Sequence, residues 1–397
     1  MRRVLLRAAI IAAASAALLA AASSVTAAAP AGPAKAPRPG QWTRVTFADL
    51  QIITDIGLVR GPNGVLHVMW ADGNDGAMVV RDTPILANGT VGKPVPVTGH
   101  LLVANDPDAT TNGRTMYAFW NQLPNKGNAS GTAVASWPAG GHGWKVTSVQ
   151  PTQLSSSDYT LGAAAGPGGK PWVAFVDNGG NGFEVWHIGH PTRQIAVPGC
   201  CAYQAGFGVD SRTGAGWLAW YSNATNHTGI EAQRFTAAGL RVGAAIRMPG
   251  SHIGNNAVST EQRTTATGLG HHLPGVYLTY VTGWPAVKEV KLIKLGAKTA
   301  TTIASSPGAG GTTLAADPSG RLWVGWYRSS PSPVIWLRRA GSGASKFGPT
   351  IRLSLPRGTS TLWKIYLNAQ AKRVDVLALV SIGHHAAYYA TQVLPPR

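Results

Sequence analysis

Turn residues followed by a short alternation of apolar and polar positions, ending on an aromatic ring, recur along this chain. The copies read Gly64-Val-Leu-His-Val-Met-Trp70, Arg114-Thr-Met-Tyr-Ala-Phe-Trp120, Gly169-Lys-Pro-Trp-Val-Ala-Phe175, Gly214-Ala-Gly-Trp-Leu-Ala-Trp220, Pro274-Gly-Val-Tyr-Leu-Thr-Tyr280 and Gly320-Arg-Leu-Trp-Val-Gly-Trp326. A more degenerate copy is Lys372-Arg-Val-Asp-Val-Leu-Ala378. Their last residues lie about 51 positions apart on average, the period of a repeated structural unit. The alternation itself has the period of a half-buried strand, and no helical period competes with it.

Each copy is preceded by a small, apolar segment such as Leu161-Gly-Ala-Ala-Ala165, Gly206-Phe-Gly-Val209 or Thr313-Leu-Ala-Ala316, which suits a crowded innermost strand. A third strand follows each aromatic, as in Gly182-Phe-Glu-Val-Trp-His187, Val287-Lys-Glu-Val-Lys-Leu292 and Pro333-Val-Ile-Trp-Leu337. A weaker fourth includes Gly143-Trp-Lys-Val146 and Pro349-Thr-Ile-Arg-Leu353. Four short antiparallel strands per unit, repeated seven times, predict an all-β, seven-bladed β-propeller. The last unit ends at a third strand, Ala386-Ala-Tyr-Tyr-Ala-Thr-Gln392, while Gln41-Trp-Thr-Arg-Val-Thr-Phe47 has the look of a fourth. The last blade is therefore predicted to be closed by the N-terminal strand, which leaves no unpaired edge there. Trp70, Trp120, Trp172, Trp217, Trp220, Trp323 and Trp326 recur at equivalent strand positions and are predicted to be packing residues between blades.

Composition agrees with this pattern and adds a compartment. Of 397 residues, 49 are Gly and 27 Pro, and only 13% are charged, which describes many turn-punctuated elements around an ample core. Arg2, Arg3 and Arg7 flank and precede an Ala/Leu/Ile run to about Ala22, with small residues up to Ala29, the form of a secretory signal peptide. Residues 1–27 are expected to be that peptide, 28–40 an Ala/Pro-rich linker, and 41–397 the propeller. Export would be by the general route, or by the twin-arginine route that Arg2-Arg3 also fits, and the product would be secreted. No other segment approaches the roughly 18 apolar residues of a membrane span. Without the leader, 31 basic residues face 16 acidic ones, a net charge of +15. The excess is concentrated after Ala286, where 15 Lys/Arg face Glu289, Asp317 and Asp375. Such a balance favours polyanions. For an exported chain whose basic residues are scattered over strands and loops, these would be anionic cell-wall polymers or acidic glycans and not nucleic acid.

Candidate chemistry falls in the loops at one end of the ring, those leading into each inner strand and those joining second to third strands. The first set offers Asp55, Asp158, Tyr159, Cys200, Cys201, Tyr203, Gln204 and Arg263; the second offers Asp177, Tyr221, Asn223, Trp284, Tyr327 and Arg328. Aromatic rings beside Asp, Asn and Arg are the composition of a sugar site, and also of ordinary polar turns. Cys200 and Cys201, the only cysteines, are adjacent. A trans peptide sets neighbouring Cα atoms about 3.8 Å apart, under the usual disulfide span, so a vicinal bridge there would need a strained turn. Two thiols or bonds to another chain are the alternatives. Asp72-Gly-Asn-Asp75-Gly has closely spaced oxygen donors of the kind calcium takes, without the remaining ligand spacing, so neither metal nor other cofactor is expected.

The repeats Ala316-Asp-Pro-Ser-Gly-Arg-Leu-Trp-Val-Gly-Trp326 and Val209-Asp-Ser-Arg-Thr-Gly-Ala-Gly-Trp-Leu-Ala-Trp220 resemble those of secreted bacterial propellers of the sialidase-like, BNR-repeat type. The resemblance implies a propeller over about residues 41–397. The strict Asp box of that family, Ser-x-Asp-x-Gly-x-x-Trp, is absent, and seven units stand where sialidases usually have six. The family's arginine triad, Tyr nucleophile with its Glu, and Asp acid/base do not align residue by residue; Arg60, Arg263 and Arg328 are merely basic and near the loops. The expectation is a monomeric propeller that binds carbohydrate or a cell-surface polymer through one face without demonstrated catalysis. A sialidase-like glycoside hydrolase drawing on Asp55, Asp72, Asp158, Asp177 and Glu261, or an envelope interaction scaffold, is the alternative.

Overall fold

The alternation and turn signals resolve, in a computed structural model, into seven four-stranded antiparallel sheets. The structure describes residues 38–46, 55–73, 77–123, 131–151, 162–176, 182–191, 193–196, 202–222, 229–251, 265–268, 274–283, 286–329 and 331–395. Blade 1 holds Gly57–Arg60, Leu66–Asp72, Val79–Ile85 and Val95–Pro96, and blade 2 Val103–Thr111, Thr115–Leu123, Gly131–Pro138 and Lys145–Pro151. Blade 3 holds Gly162–Ala165, Pro171–Val176, Gly182–His187 and Arg193–Ala196, and blade 4 Ala202–Val209, Gly216–Ser222, Gly229–Phe235 and Arg241–Arg247. Blade 5 is Thr265–Gly268, Val276–Thr282, Glu289–Lys294 and Thr301–Ser305; blade 6 is Gly311–Ala316, Leu322–Arg328, Val334–Arg339 and Ile351–Leu353. In blade 7, Thr359–Gln370, Arg373–Ile382 and His385–Val393 are completed by Thr43–Arg44. This is the seven-bladed propeller predicted from the repeats.

The repeat works because each of its parts meets a different local demand. The recurring turn glycine carries the chain from first to second strand in a left-handed conformation, φ 78° at Gly64 and 75° at Gly320, where a Cβ would be strained. The aromatic positions then fill the space between neighbouring sheets. Trp70, Trp120, Trp220, Trp323 and Trp326 are buried, and Trp172 stacks between Phe207 of the next blade and His187 of its own, while Trp217 is partly covered. The small inner-strand residues permit close approach: a Cβ on Gly57 would lie 2.6 Å from the Asp108 carbonyl carbon, in the inner strand of the next blade. Blades are also pinned by buried polar bonds. Trp144 Nε1 of blade 2 donates to Asp82 Oδ2 of blade 1 at 2.8 Å, the oxygen that also meets His67 Nδ1 at 2.6 Å.

The ring is latched where the sequence predicted. Thr43 pairs with Ala390 and Arg44 with Tyr389, the Val45 amide donates to the Tyr388 carbonyl (2.8 Å), and the Tyr388 amide donates to Thr46 Oγ1 (3.1 Å). Val45 and Thr46 are fully buried, and Trp42 Nε1 donates to the Ser354 carbonyl of blade 6 (2.7 Å). Deleting residues 41–46 is expected to lower the thermal unfolding midpoint by about 5 °C or more. It should also bare the edge of the 385–393 strand, seen as self-association in sedimentation. A truncated protein that is monomeric with an unchanged midpoint would show that the ring does not depend on this strand.

Candidate functional site

The seven inner strands contact one another in a closed circle and run in one direction, so they wall a central channel. Its upper end is where the inner strands begin, and its lower end where they turn into the second strands. Along blade 7, Lys364, Tyr366 and Asn368 alternate with the buried Ile365 and Leu367 and stand on the side that faces blade 1, where the Tyr366 ring packs against the core shared by the two blades.

Near the upper end Lys364 and Tyr366 meet a carboxylate of blade 1, which is linked in turn to carboxylates of blade 2. Lys364 Nζ donates to Asp55 Oδ1, and Tyr366 Oη donates to the same oxygen at 2.5 Å. The Asp55 amide in turn donates to Asp106 Oδ1 of blade 2 at 3.0 Å. Two residues further, Asp108 accepts from the Ala109 amide through Oδ1 and from the Ala163 amide of blade 3 through Oδ2, both at 2.7 Å. Asp106 and Asp108 thus bond in opposite directions around the ring. A β-bulge makes this feasible: pairing with the second strand jumps between Asn105 and Asp108, and Asp106 holds a left-handed φ of 46°. Pro107 between them has no amide to lose from the ladder.

The two environments differ in a way that matters chemically. Asp55 is balanced by an ammonium and a phenol. Burial raises the Asp108 carboxyl from 3.8 to about 7, its two amide donors pull the other way, and the nearby Asp55 charge adds to the rise. The cluster therefore sets a lysine- and tyrosine-bonded carboxylate beside a carboxyl raised to about 7.

Below this cluster lies a cavity of about 520 Å³ lined by inner-strand ends from six blades, among them Leu58, Thr110, Ala163, Phe207, Ala316 and Asn368. Ala163 belongs to both levels, since its amide binds Asp108. At the lower rim Arg60 is held on three sides, by Asp375 Oδ2 (2.5 Å), Asn368 Oδ1 (3.0 Å) and the Gly64 carbonyl (2.8 Å). Asp317 there accepts from Arg339 Nη2 at 2.5 Å and from Ser319 and Arg321 of its own turn. Burial would raise its carboxyl, and Arg339 with the turn donors more than offset that, holding it below the usual range. The Arg60–Asp375 pair ties blade 1 to blade 7, whereas Asp317 and Arg339 pair within blade 6, from which Arg339 Nη2 also donates to the Ala371 carbonyl of blade 7 at 3.1 Å.

The sequence-derived candidates distribute as follows. Asp55 is in the cluster. Tyr221 is fully buried in the blade 4–5 core, and Tyr327 is buried with its hydroxyl donating to the Trp363 carbonyl (2.6 Å). Arg328 lies over the Trp336 ring at 5.7 Å and donates to the Ser332 carbonyl. Tyr203 and Gln204 are on the inner strand of blade 4. Asp72 is tied to Arg81. Arg60 sits at the lower end of the channel, away from the loops of the proposed face. Asp158, Tyr159, Asp177, Cys200, Cys201, Asn223, Glu261, Arg263 and Trp284 lie outside the described residues, so the vicinal bridge does too. Asp106, Asp108 and Tyr366 join the cluster from inner strands, outside the loops in which the sequence places candidate chemistry. The signal available was Asn105-Asp-Pro-Asp108, two acids flanking a proline where other inner strands carry Ala and Gly.

No family model matches the chain, and no curated protein matches it in sequence. Solved structures do match. A lectin from Burkholderia pseudomallei aligns over 86% of this chain and 96% of its own at TM-score 0.58 and 13% identity. The likeness is one of fold. Virginiamycin B lyase from Staphylococcus aureus aligns over 89% and 99% at TM-score 0.50 and 13% identity. An α-L-arabinofuranosidase from Fusarium graminearum aligns over 86% and 92% at TM-score 0.51 and 10% identity.

The raised carboxyl has a thermodynamic signature. A folded value of about 7 against 3.8 unfolded means that Asp108 favours the folded state most below about pH 4. That contribution declines as pH rises to about 7 and is constant above it. Asp108→Asn should remove the decline, so the variant gains on the wild type between pH 4.5 and pH 8, measured as urea midpoints. A wild-type-minus-variant difference that does not change with pH would refute the placement of this carboxyl.

Proposed function

We propose that the protein is an exported carbohydrate-binding propeller whose ligand sits at the upper end of the channel, against Asp55, Asp108, Lys364 and Tyr366. The observation that carries this reading is the convergence of those four side chains from three blades. Sugars present closely spaced hydroxyls that both donate and accept. Carboxylates, an ammonium and a phenol answer both needs, and charge-assisted hydrogen bonds are the stronger kind. The lectin among the fold neighbours supports the reading.

A second reading, glycoside hydrolysis, is favoured by one observation: Asp108, raised to about 7, lies within electrostatic reach of the lysine-paired Asp55. Two carboxyl groups pushed apart in this way can divide the roles of acid and charged partner. The arabinofuranosidase neighbour is consistent with it.

Binding of the purified protein to a glycan array, followed by incubation with each ligand found, separates the two. A carbohydrate-binding protein should retain its glycan uncleaved, and Asp108→Asn or Lys364→Met should weaken that binding by about tenfold or more. Release of new reducing ends that stops in Asp108→Asn would establish hydrolysis instead. Absence of any glycan ligand, or binding indifferent to both substitutions, would defeat both readings.

A further inference from the structure

The lower end of the ring differs in charge from the upper. Antiparallel blades bring the turns between first and second strands and those between third and fourth strands to this one end. Four of the first-to-second turns carry a basic residue immediately before, or at the start of, the second strand: Arg114, Lys170, Arg321 and Lys372. A fifth turn carries Arg212. All five are exposed, and among the described residues none has a side-chain ion pair or hydrogen bond. The third-to-fourth turns add Lys93, Lys298 and Lys346, with Arg38 before the latch strand, all exposed.

Acids hardly counter them. In the described turns of this face the acids are Asp210 and Asp317. Asp317 is buried and bonded to Arg339, and Asp210 caps its own turn by accepting from the Arg212 amide at 2.9 Å. The basic excess noted after Ala286 is thus not one docking patch. Lys291, Arg339 and Lys364 are in ion pairs, and the exposed cations after Ala286 are divided between the lower face, with Lys298, Arg321, Lys346 and Lys372, and positions elsewhere, with Lys288, Arg352 and Arg357.

We propose that this lower face is a docking surface for a linear anionic polysaccharide. Unpaired cations spaced around a ring fit a flexible polymer that carries a charge on each of many units and can trace from turn to turn. The tips of the first-to-second turns are Gly, Pro, Asn, Ser and Thr, as in Gly61-Pro-Asn-Gly64 and Gly166-Pro-Gly-Gly169, which offers nothing to insert into lipid. Leu86, Leu240 and Leu394 are the exposed leucines near this end; they are isolated from one another on three blades, and the first two close the bases of their turns, through the Leu86 amide to the Thr90 carbonyl and the Thr236 amide to the Leu240 carbonyl. The one aromatic among the exposed large hydrophobic residues described, Trp363, belongs to the upper half of blade 7, while the lower-end rings Trp137 and Trp144 are part-buried against each other.

The test compares two triple charge reversals of equal net charge in the full protein. One removes lower-face cations, Arg114→Glu/Arg321→Glu/Lys372→Glu; the other removes exposed cations elsewhere, Lys288→Glu/Arg352→Glu/Arg357→Glu. Affinity is measured for heparin, with neutral dextran, duplex DNA and phosphatidylglycerol vesicles as separate arms. Wild type should bind heparin in a salt-sensitive manner, and the lower-face variant should lose about tenfold or more while the control loses less than about threefold. Equal losses in the two variants, no heparin binding, or stronger binding to vesicles or DNA than to heparin would overturn the proposal. Circular dichroism confirms that both variants are folded. The channel reading is independent, since Asp108→Asn should leave heparin affinity unchanged.

Discussion

Inner strands of a propeller belong to different sheets, so their channel-side amides have no neighbouring ladder to join, and a buried amide without a partner is costly. In blades 1 to 3 this need is met by carboxylates. Asp106 takes the Asp55 amide and Asp108 takes the Ala163 amide. A carboxylate enclosed among backbone atoms must then be balanced, and Lys364 and Tyr366 of blade 7 balance Asp55. The chemistry at the upper end of the channel follows from this problem of backbone satisfaction, which is why it lies on inner strands as well as on loops.

The same constraint explains what could be read from the chain and what could not. Blade number, strand order, latch and the burial of the tryptophans depend on a repeated pattern, in which six good copies locate a poor seventh. The cluster breaks the pattern and appears once. Asn105-Asp-Pro-Asp108 looks like a loop by composition, and only the bulge places these residues inside a strand with one acid serving each neighbouring blade. Tyr221 and Tyr327 show the reverse case. Both follow the recurring strand aromatic, where the composition turns polar, yet the second strand continues past them and buries them. Lys364 and Tyr366 could not be paired with Asp55 from sequence because the ring brings blade 7 beside blade 1.

Charge shows a further separation of roles. Ion pairs, Arg60 with Asp375 between blades 1 and 7 and Arg339 with Asp317 within blade 6, involve basic residues that composition counts equally with Arg114 or Lys170. The first kind is largely withdrawn from solvent and braces the blades, within one or across two; the second stands exposed in the turns. Net charge alone does not distinguish a mortar of arginines from a surface of them.

The latch has a consequence for how the molecule comes into being. Thr43 and Arg44 are among the first residues of the domain to be synthesised, and their partners Tyr389 and Ala390 among the last. Each blade from the first to the sixth is made of consecutive strands and can form as it emerges, but the seventh must wait for a strand that has been available, and unpaired, throughout. Closure is therefore the longest-range contact and the natural final step of folding. Until it occurs, the chain is an open arc with two bare sheet edges, a period during which it is most exposed to mispairing with its own copies.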